Sequence, residues 1–254
     1  KSTAYFFNQE KVISRNKLWH QIKDKNGHIK VGIDNILHEQ ILFYENLLSS
    51  EGWDRASAEK LTSNIEKLIT NEQREMCEAP LTLTEITKCV KQLKQNKTPG
   101  SDGIPSEFYH KYWEVIKKDF LKVIREIEQT EELCISQYRG IICLLYKQGD
   151  RDCLVNWRPI TLLNADYKLI ATAYANRLKI VLPFIINDDQ SAYIENRQII
   201  NNVRLTQDII HMCDDKNIPG AIISLDQQKA YDRIEWGYLE VCLNKFGFGP
   251  KFTK

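Results

Sequence analysis

Residues 222–232 read IISLDQQKAYD, and this stretch decides how the rest of the chain is interpreted. Its apolar run predicts a buried strand from Ala221 to Leu225. Asp226 follows directly and would lie at the exposed end of that strand. A strand end holds a carboxylate rigidly, and carboxylate oxygens are ligands that Mg²⁺ prefers. The pattern therefore predicts a metal ligand at Asp226, with the alternative that this residue caps the helix that follows.

Further blocks precede this stretch along the chain. Residues 145–150 read LYKQGD, residues 156–164 read NWRPITLLN, and residues 175–178 read ANRL. Residues 96–103 read NKTPGSDG, followed by EFY at residues 107–109, and their Gly and Pro content predicts a sharply constrained loop. A last block contains Asp189-Gln190-Ser191, Ile194 and Arg197.

In this order the blocks resemble the reverse transcriptases of non-LTR (LINE-type) retrotransposons. The resemblance implies an α+β protein with the fingers and a partial palm of a right-hand polymerase, preceded by a helical N-terminal extension. Residues 1–80 resemble, more loosely, the segment that joins the family's endonuclease to its polymerase. We therefore expect a helical linker or extension over residues 1–80, and fingers with an incomplete palm over residues 81–254.

The resemblance also implies roles for individual residues. Asp226 and the backbone carbonyl of Gln227 would bind a pair of Mg²⁺ ions, with Mn²⁺ as the alternative ion. Lys147 and Arg158 would hold the triphosphate of the incoming nucleotide, because fixed cations stabilise charge that develops in the transfer. Tyr231 lies where the family places a bulky ring under the incoming sugar. The alternatives are core packing for Tyr231 and a solvated surface position for Lys147.

Three more basic residues and one acid are candidates for supporting roles. Lys97, Arg177 and Arg197 would contact phosphates along template and primer. The alternative for each of them is an ion pair with a nearby acid. Asp232 would brace the site behind Asp226 or bind a structural partner.

The activity that the resemblance implies is that of an RNA-directed DNA polymerase. Such an enzyme extends a DNA primer on an RNA template by two-metal phosphoryl transfer, in target-primed retrotransposition. Its partners would be the RNA template, the DNA primer and deoxynucleoside triphosphates, with an endonuclease domain upstream and no membrane. The implied location is intracellular, in the nucleus and the cytoplasm.

The sequence also departs from the family's pattern. The Gln190 block usually continues with Gly-Phe and later Gly-Arg, whereas this chain has Ala192-Tyr193 and Asn196-Arg197. Asn196 is tolerable if its backbone is left-handed, a conformation that Asn accepts better than most residues. Ala192 has no such explanation, and it indicates that this copy of the retrotransposon has accumulated mutations.

We expect the chain to be a piece of a longer protein, because it opens with Lys1 and not with Met. The family's Tyr-any-Asp-Asp box, which supplies the remaining metal carboxylates, would lie beyond Lys254. The strand before Asp226 should then lack antiparallel partners, and the chain alone should have no polymerase activity. The alternative function is a non-catalytic nucleic-acid-binding remnant of a decayed retroelement.

Composition is that of an ordinary globular protein. The 254 residues are 43% hydrophobic and 27% charged, with a net charge of +1. Basic residues dominate positions 1–30 and 138–182, as expected for a chain that binds a polyanion along one face. The seven cysteines and five histidines lack metal-ligand spacing, so we expect thiols that are mostly buried and no zinc site or disulfide framework.

Periodicity and capping signals predict most of the helices. Thr82 and Glu85 form a capping-box pair, and Asp34 is a plausible N-cap. A turn is expected at residues 24–27 and a strand at residues 139–147. In the helix after Pro105, we expect burial of Phe108, Tyr112, Val115, Ile116, Phe120, Val123, Ile124 and Ile127. Helices are predicted at residues 34–48, 56–70, 82–95, 105–129, 166–186, 198–213 and 236–246.

Overall fold

The computed structural model describes residues 19–227 and 229–253. They form two compact units, each built from two separate stretches of chain. The first unit combines the described residues up to Glu51 with Ile142–Thr161, and the second combines Gly52–Ile141 with the described residues from Leu162 onwards. The expected extension over residues 1–18 lies outside the described residues, and the functional boundary near residue 80 stays a prediction. Within the described ranges, no helix has both the length and the hydrophobicity needed to cross a bilayer.

The described chain mixes helices with two small sheets, as the α+β prediction requires. The strands are β1 (Gln21–Lys23), β2 (Ile29–Val31), β3 (Gly140–Tyr146) and β4 (Trp157–Leu163). A single 3₁₀ turn covers Leu154–Asn156. The helices are α1 (Ile33–Leu48), α2 (Arg55–Thr62), α3 (Asn71–Glu78), α4 (Leu83–Gln92), α5 (Ser106–Thr130), α6 (Ile135–Tyr138), α7 (Ala165–Ile185), α8 (Ile199–Asp215), α9 (Trp236–Phe246) and α10 (Pro250–Thr253).

The first unit begins with the β1–β2 hairpin, whose predicted turn is confirmed. The Asp24 carboxylate accepts hydrogen bonds from the amides of Asn26 and His28, both at 2.9 Å. Its small core contains Ile22, Ile36 and Leu154, with Trp19, Phe43 and Leu144 packed around them. The core therefore joins the N-terminal stretch to residues 142–161. The expected N-cap Asp34 was wrong, because α1 begins after Gly32 and Asp34 lies inside its first turn.

In the second unit the largest core lies between α4, α5 and α7. The predicted capping box at the start of α4 is confirmed, because Thr82 and Glu85 exchange side-chain and backbone hydrogen bonds. The predicted burial along α5 is confirmed for Ile124, and Ile116, Phe120 and Ile127 are partly buried against the core. Tyr109 and Trp113, which the prediction did not include, are buried as well. By contrast, Phe108, Tyr112, Val115 and Val123 are exposed. The helix buries a narrower stripe than its apolar content suggested.

A second core joins α3, the C-terminal half of α7 and residues near α10. Cys77, Val181, Ile185 and Phe248 are its buried members. The helix predicted over residues 56–70 was too long, since α2 ends at Thr62. Chain direction then changes, and Thr70 starts α3 with a capping box of its own that the sequence reading missed.

The strand predicted from Ala221 to Leu225 is wrong. Residues 221–227 have no regular secondary structure, and Ile223 and Leu225 are 79% and 90% exposed. A strand forms by pairing with a neighbour, and none of the described residues pairs with this segment. The loop therefore presents Asp226 at the surface and not at the end of a buried strand.

Candidate functional site

Asp226 is an exposed carboxylate on an irregular loop. Over the described part of the chain, no group of three or more His, Cys, Asp or Glu side chains is placed to hold a metal ion. Asp226 and the carbonyl of Gln227 thus provide only part of a donor set. The residues described here do not by themselves fit a pair of divalent cations, which needs several oxygen ligands for each ion.

A tight turn follows Asp226. The amide of Asp232 donates to the carbonyl of Lys229 at 3.0 Å, and Lys229 has a positive φ of 49°. Burial lowers the pKa of the Lys229 ammonium, and the nearby Asp232 carboxylate acts in the opposite direction. Asp232 therefore lies close to a half-buried lysine, as the structural-partner alternative expects, and its role behind Asp226 stays a prediction.

Tyr231 projects from the same turn and is 73% exposed, so core packing does not describe it. Its ring meets the ring of Tyr193 edge to face, with centroids 6.1 Å apart and an interplanar angle of 90°. The neighbouring Tyr193 phenol raises the pKa of Tyr231. Sequence reasoning gave no role to Tyr193, which connects the 189–197 block with the turn after Asp226.

The 189–197 block contains two left-handed residues. Tyr193 has φ 62° and Asn196 has φ 64°, so the condition for Asn at position 196 is met. A positive φ at a bulky aromatic residue is uncommon. Such strain persists only where the surroundings hold it in place, and the contact with Tyr231 is one such restraint.

Arg197 fastens this block to the end of α7. Its guanidinium donates to the carbonyls of Gln190 at 2.9 Å and Ile186 at 3.1 Å. It also lies 3.4 Å from the Asp188 carboxylate. The ion-pair alternative therefore describes Arg197 in this structure, and its donors serve the protein's own backbone.

Arg177 is only 4% exposed, deep between α3, α4 and α7. Its Nε donates to Glu85 Oε1 at 2.7 Å, and its Nη atoms donate to the carbonyls of Cys77 and Pro80 at 3.1 and 3.2 Å. Burial alone would raise the pKa of Glu85, but hydrogen bonds from Arg177 and Thr82 outweigh it and lower the pKa to about 2. The Arg177 guanidinium is therefore not exposed for the phosphate contact that was predicted, and it forms the alternative, an ion pair with Glu85.

The constrained loop at residues 96–105 is held by Asn164, a residue to which sequence reasoning assigned no role. Asn164 is 1% exposed, and its Oδ1 accepts from the Asp102 amide and the Ser101 hydroxyl, both at 3.3 Å. Its Nδ2 donates to the carbonyl of Ser136 at 2.9 Å. A Cβ at Gly100 would lie 2.1 Å from Asn164 Oδ1, so only glycine fits there. Two blocks distant in sequence thus meet.

Lys97 stands on this loop and is exposed. A cation on a loop pinned by buried hydrogen bonds is held in place without being covered by other atoms. Lys97 therefore has the accessibility that a contact to a phosphate requires.

Lys147 and Arg158 lie in the first unit, at the paired strands β3 and β4, and both are exposed. The Lys147 amide donates to the carbonyl of Asn156 at 2.9 Å. Trp157, which lies just before Arg158 in sequence, is buried, and its Nε1 donates to the carbonyl of Arg151 at 2.8 Å. These contacts make a braced hairpin that displays two cations. The remaining predicted site residues, from Lys97 to Asp232, lie in the second unit.

Comparison with known proteins shows which family and which proteins share these sequence blocks. Residues 146–254 match the sequence profile of the family described as reverse transcriptase (RNA-dependent DNA polymerase). Over 211 residues, or 83% of the chain, it is 37% identical to the transposon TX1 uncharacterized 149 kDa protein of Xenopus laevis. Over 184 residues, or 70% of the chain, it is 27% identical to the probable RNA-directed DNA polymerase from transposon BS of Drosophila melanogaster.

The matched regions make up 16% and 20% of the lengths of those two relatives. Both relatives are transposon proteins, and the family profile covers the blocks from Tyr146 to the end of the chain. These findings confirm the resemblance that the ordered motifs indicated. Over residues 146–254 the chain belongs to the reverse transcriptase (RNA-dependent DNA polymerase) family, and it is similar to proteins of two transposons.

Proposed function

We propose that this chain is part of an RNA-directed DNA polymerase that extends a DNA primer on an RNA template. The observation that supports this most strongly is the family match over residues 146–254, which includes Asp226 and its neighbours. Nucleic acids and deoxynucleoside triphosphates are the proposed partners. At a genomic target this activity would serve target-primed retrotransposition, with an endonuclease domain upstream in the same protein. The proposed location is intracellular, in the nucleus and the cytoplasm.

Asp226 is the proposed catalytic carboxylate. Reverse transcriptases generally use divalent metal ions, and we propose Mg²⁺, with Asp226 and the Gln227 carbonyl among its ligands. Asp226 is exposed, as a residue that meets substrate must be. Since the described residues supply one such carboxylate and no cluster, we propose that the 254-residue chain alone does not polymerise nucleotides.

Three exposed side chains are proposed to bind the incoming nucleotide. Lys147 and Arg158 are exposed cations on the braced hairpin, and cations there would suit a triphosphate. Tyr231 offers an exposed ring whose position is restrained by Tyr193, and this supports a contact with the sugar.

Lys97 is the proposed phosphate contact along template or primer, because it is exposed on a fixed loop. Arg177 and Arg197 are proposed to act through the backbone they organise, since their donors are bonded internally. Asp232 is proposed to support the turn that carries Tyr231.

Primer extension tests the proposal. The polymerase that contains these 254 residues is compared with its Asp226→Asn variant on a primed RNA template with Mg²⁺. We expect the variant to lose extension and to retain binding of the primed template. Asp208→Asn, an isosteric change on the exposed surface of α8, is the matched control and should extend as the unaltered protein does. Undiminished synthesis by Asp226→Asn would overturn the catalytic assignment.

A second candidate is a nucleic-acid-binding remnant without chemistry. The alanine at position 192, where the family usually has glycine, favours it. The same assay separates the two candidates, because a remnant binds the primed template and extends it under no condition.

A further inference from the structure

The turn that connects β3 to β4, residues 147–156, is held from outside by β1. The Lys23 amide donates to the carbonyl of Asp152 at 2.8 Å, and the side-chain amide of Gln21 donates to the Asp152 carboxylate at 2.6 Å. The Lys23 ammonium donates to the Asp150 carboxylate at 2.5 Å. β1 therefore binds both the backbone and the side chains of this turn.

The 147–156 turn is also bonded from within. The Asn156 side chain donates to the carbonyl of Asp150 at 2.8 Å, and the Tyr146 hydroxyl donates to the carbonyl of Gly149 at 2.6 Å. The Arg151 guanidinium lies over the Tyr146 ring, 4.6 Å from its centroid. Bonds to neighbouring groups fix the positions of the residues that make them. The position of Asp150 is therefore coupled to the positions of both ends of the turn.

The two cations proposed to bind the triphosphate lie at these ends. The Lys147 amide donates to the carbonyl of Asn156 at 2.9 Å and closes the turn. Arg158 follows two residues later, on β4. Its neighbour Trp157 donates from Nε1 to the carbonyl of Arg151 inside the turn at 2.8 Å. A change in the orientation of the turn would therefore move the backbone that carries both cations.

Lys23 also changes the charge that a triphosphate would meet. Asp150 and Asp152 lie on the same turn as Lys147, and a free carboxylate there would repel phosphate or pair with the nearby cation. The Lys23 ammonium pairs with Asp150 instead, and this hydrogen bond is the main reason why the pKa of Asp150 is lowered. The other oxygen of Asp150 accepts from the Asp152 amide at 2.9 Å. Both oxygens of Asp150 are thus engaged by the protein.

We propose that Lys23 is a positioning residue for nucleotide binding. Through Asp150 it holds the turn in the orientation in which Lys147 and Arg158 meet the triphosphate, and it keeps a carboxylate occupied on the same turn. β1 precedes the region that matches the family profile, residues 146–254. The inference therefore adds a segment outside that region to the nucleotide site. It rests on the proposed function and deepens it.

The test measures primer extension by the polymerase that contains these 254 residues, with the deoxynucleoside triphosphate concentration varied. Lys23→Gln should raise the KM for the nucleotide by about 2- to 5-fold, the size expected for an exposed ion pair. It should leave kcat unchanged, because the interaction is made in the ground state and the transition state alike. Lys23→Arg keeps a cationic donor for Asp150 and should keep the KM of the unaltered protein.

Lys30→Gln is the matched control. Lys30 lies on β2 of the same hairpin, with its ammonium 3.8 Å from the Asp24 carboxylate, and its side chain is 42% exposed against 34% for Lys23. The control removes the same charge and should leave the KM unchanged. If Lys23 acts through Asp150, adding Asp150→Asn to Lys23→Gln should raise the KM no further. An additive rise would overturn the route through Asp150.

Hydrogen exchange of the 254-residue chain, followed by mass spectrometry, measures the same coupling without catalysis. The amides of residues 147–156 should exchange faster in Lys23→Gln and at the unaltered rate in Lys30→Gln. A KM that does not change in Lys23→Gln, or that rises equally in Lys30→Gln, overturns the inference and leaves the proposed polymerase in place. An unaltered protein that does not extend the primer overturns the proposed function, and the exchange rates then show by themselves whether Lys23 holds the turn.

Discussion

Arg177 and Glu85 form a two-point ion pair, Nε to Oε1 at 2.7 Å and Nη2 to Oε2 at 3.0 Å, across 92 residues of sequence. The same guanidinium donates to the carbonyl of Cys77 at the end of α3 and to that of Pro80 just before α4. One side chain on α7 therefore fixes the path of the chain from α3 into α4. Parallel donation to a carboxylate and to carbonyls is a geometry that arginine provides and lysine does not.

Arg177→Met should destabilise the second unit strongly. It leaves the Glu85 carboxylate and several carbonyls without their donor, and breaking one side of a buried pair typically costs about 3–5 kcal/mol. Urea unfolding followed by circular dichroism measures the change. Arg55→Met removes an exposed ion pair on α2 and should change stability by less than about 0.5 kcal/mol. Equal effects of the two substitutions would contradict the structural role of Arg177.

Acid should weaken the same pair. The pKa of Glu85 is lowered from its ordinary value of 4.5 to about 2 in the folded protein, so the ionised group stabilises the fold above the unfolded pKa. That contribution is lost as pH falls through the window between about 4.5 and about 2. The difference in unfolding free energy between the unaltered protein and Glu85→Gln should shrink across this window. A difference that stays constant with pH would show that the carboxylate does not titrate with folding.

Gly100→Ala should disturb the contact between the 96–105 loop and Asn164. The added Cβ would lie 2.5 Å from the Asn164 backbone nitrogen and 2.6 Å from the Leu163 carbonyl carbon. Since backbone atoms cannot swing aside, we expect a loss of about 1–3 kcal/mol. Gly220→Ala is the control, because its Cβ meets nothing within 4 Å. Thermal unfolding of both variants makes the comparison.

Tyr193→Phe should lower the pKa of Tyr231 towards its ordinary value. The neighbouring Tyr193 phenol is the main cause of the raised value, and phenylalanine keeps the ring contact while removing the hydroxyl. NMR titration of the tyrosine Cζ signals measures the shift. Tyr112→Phe, on the exposed side of α5, should leave the Tyr231 titration unchanged. A Tyr231 pKa that does not respond to Tyr193→Phe would show that the Tyr193 hydroxyl is not what raises it.

Thiol reactivity should follow burial. All seven cysteines are free, and the expectation of mostly buried thiols was wrong: Cys134 is exposed, four others are partly exposed, and two, Cys77 and Cys89, are buried. Burial raises the pKa of these two thiols. Because the thiolate is the nucleophile, iodoacetamide should modify Cys134 first and spare Cys77 and Cys89. Mass spectrometry of the native chain gives the order, and denaturant should make all seven reactive. Early labelling of Cys77 would contradict the packing of the second core.

Several elements could be predicted from sequence because their signals are local. The Thr82–Glu85 capping box, the turn at Asp24 and the long periodic helix α7 each depend on residues a few positions apart. The ordered motifs likewise identified the family, since they depend on residue identity and order and not on three-dimensional contacts.

Other features depend on distant partners and could not be predicted. The segment at residues 221–225 has the composition of a strand, but composition does not supply a neighbouring strand. Arg177 and Arg197 resemble surface cations in sequence, and only the folded chain brings carbonyls to them. The packing of Trp53 could not be predicted either, because the glycine that accommodates its indole is 184 residues away, at Gly237.

The discontinuous first unit bears on how this chain can be divided. Ile22 and Ile36 pack with Leu154, and the Lys23 amide donates to the carbonyl of Asp152 at 2.8 Å. A shortened protein that starts at residue 81 would remove one wall of this core, although every polymerase motif stays intact. The hairpin that carries Lys147 and Arg158 would then lack part of the core it packs against, and a loss of the nucleotide binding proposed for these residues would reflect missing scaffold and not missing chemistry.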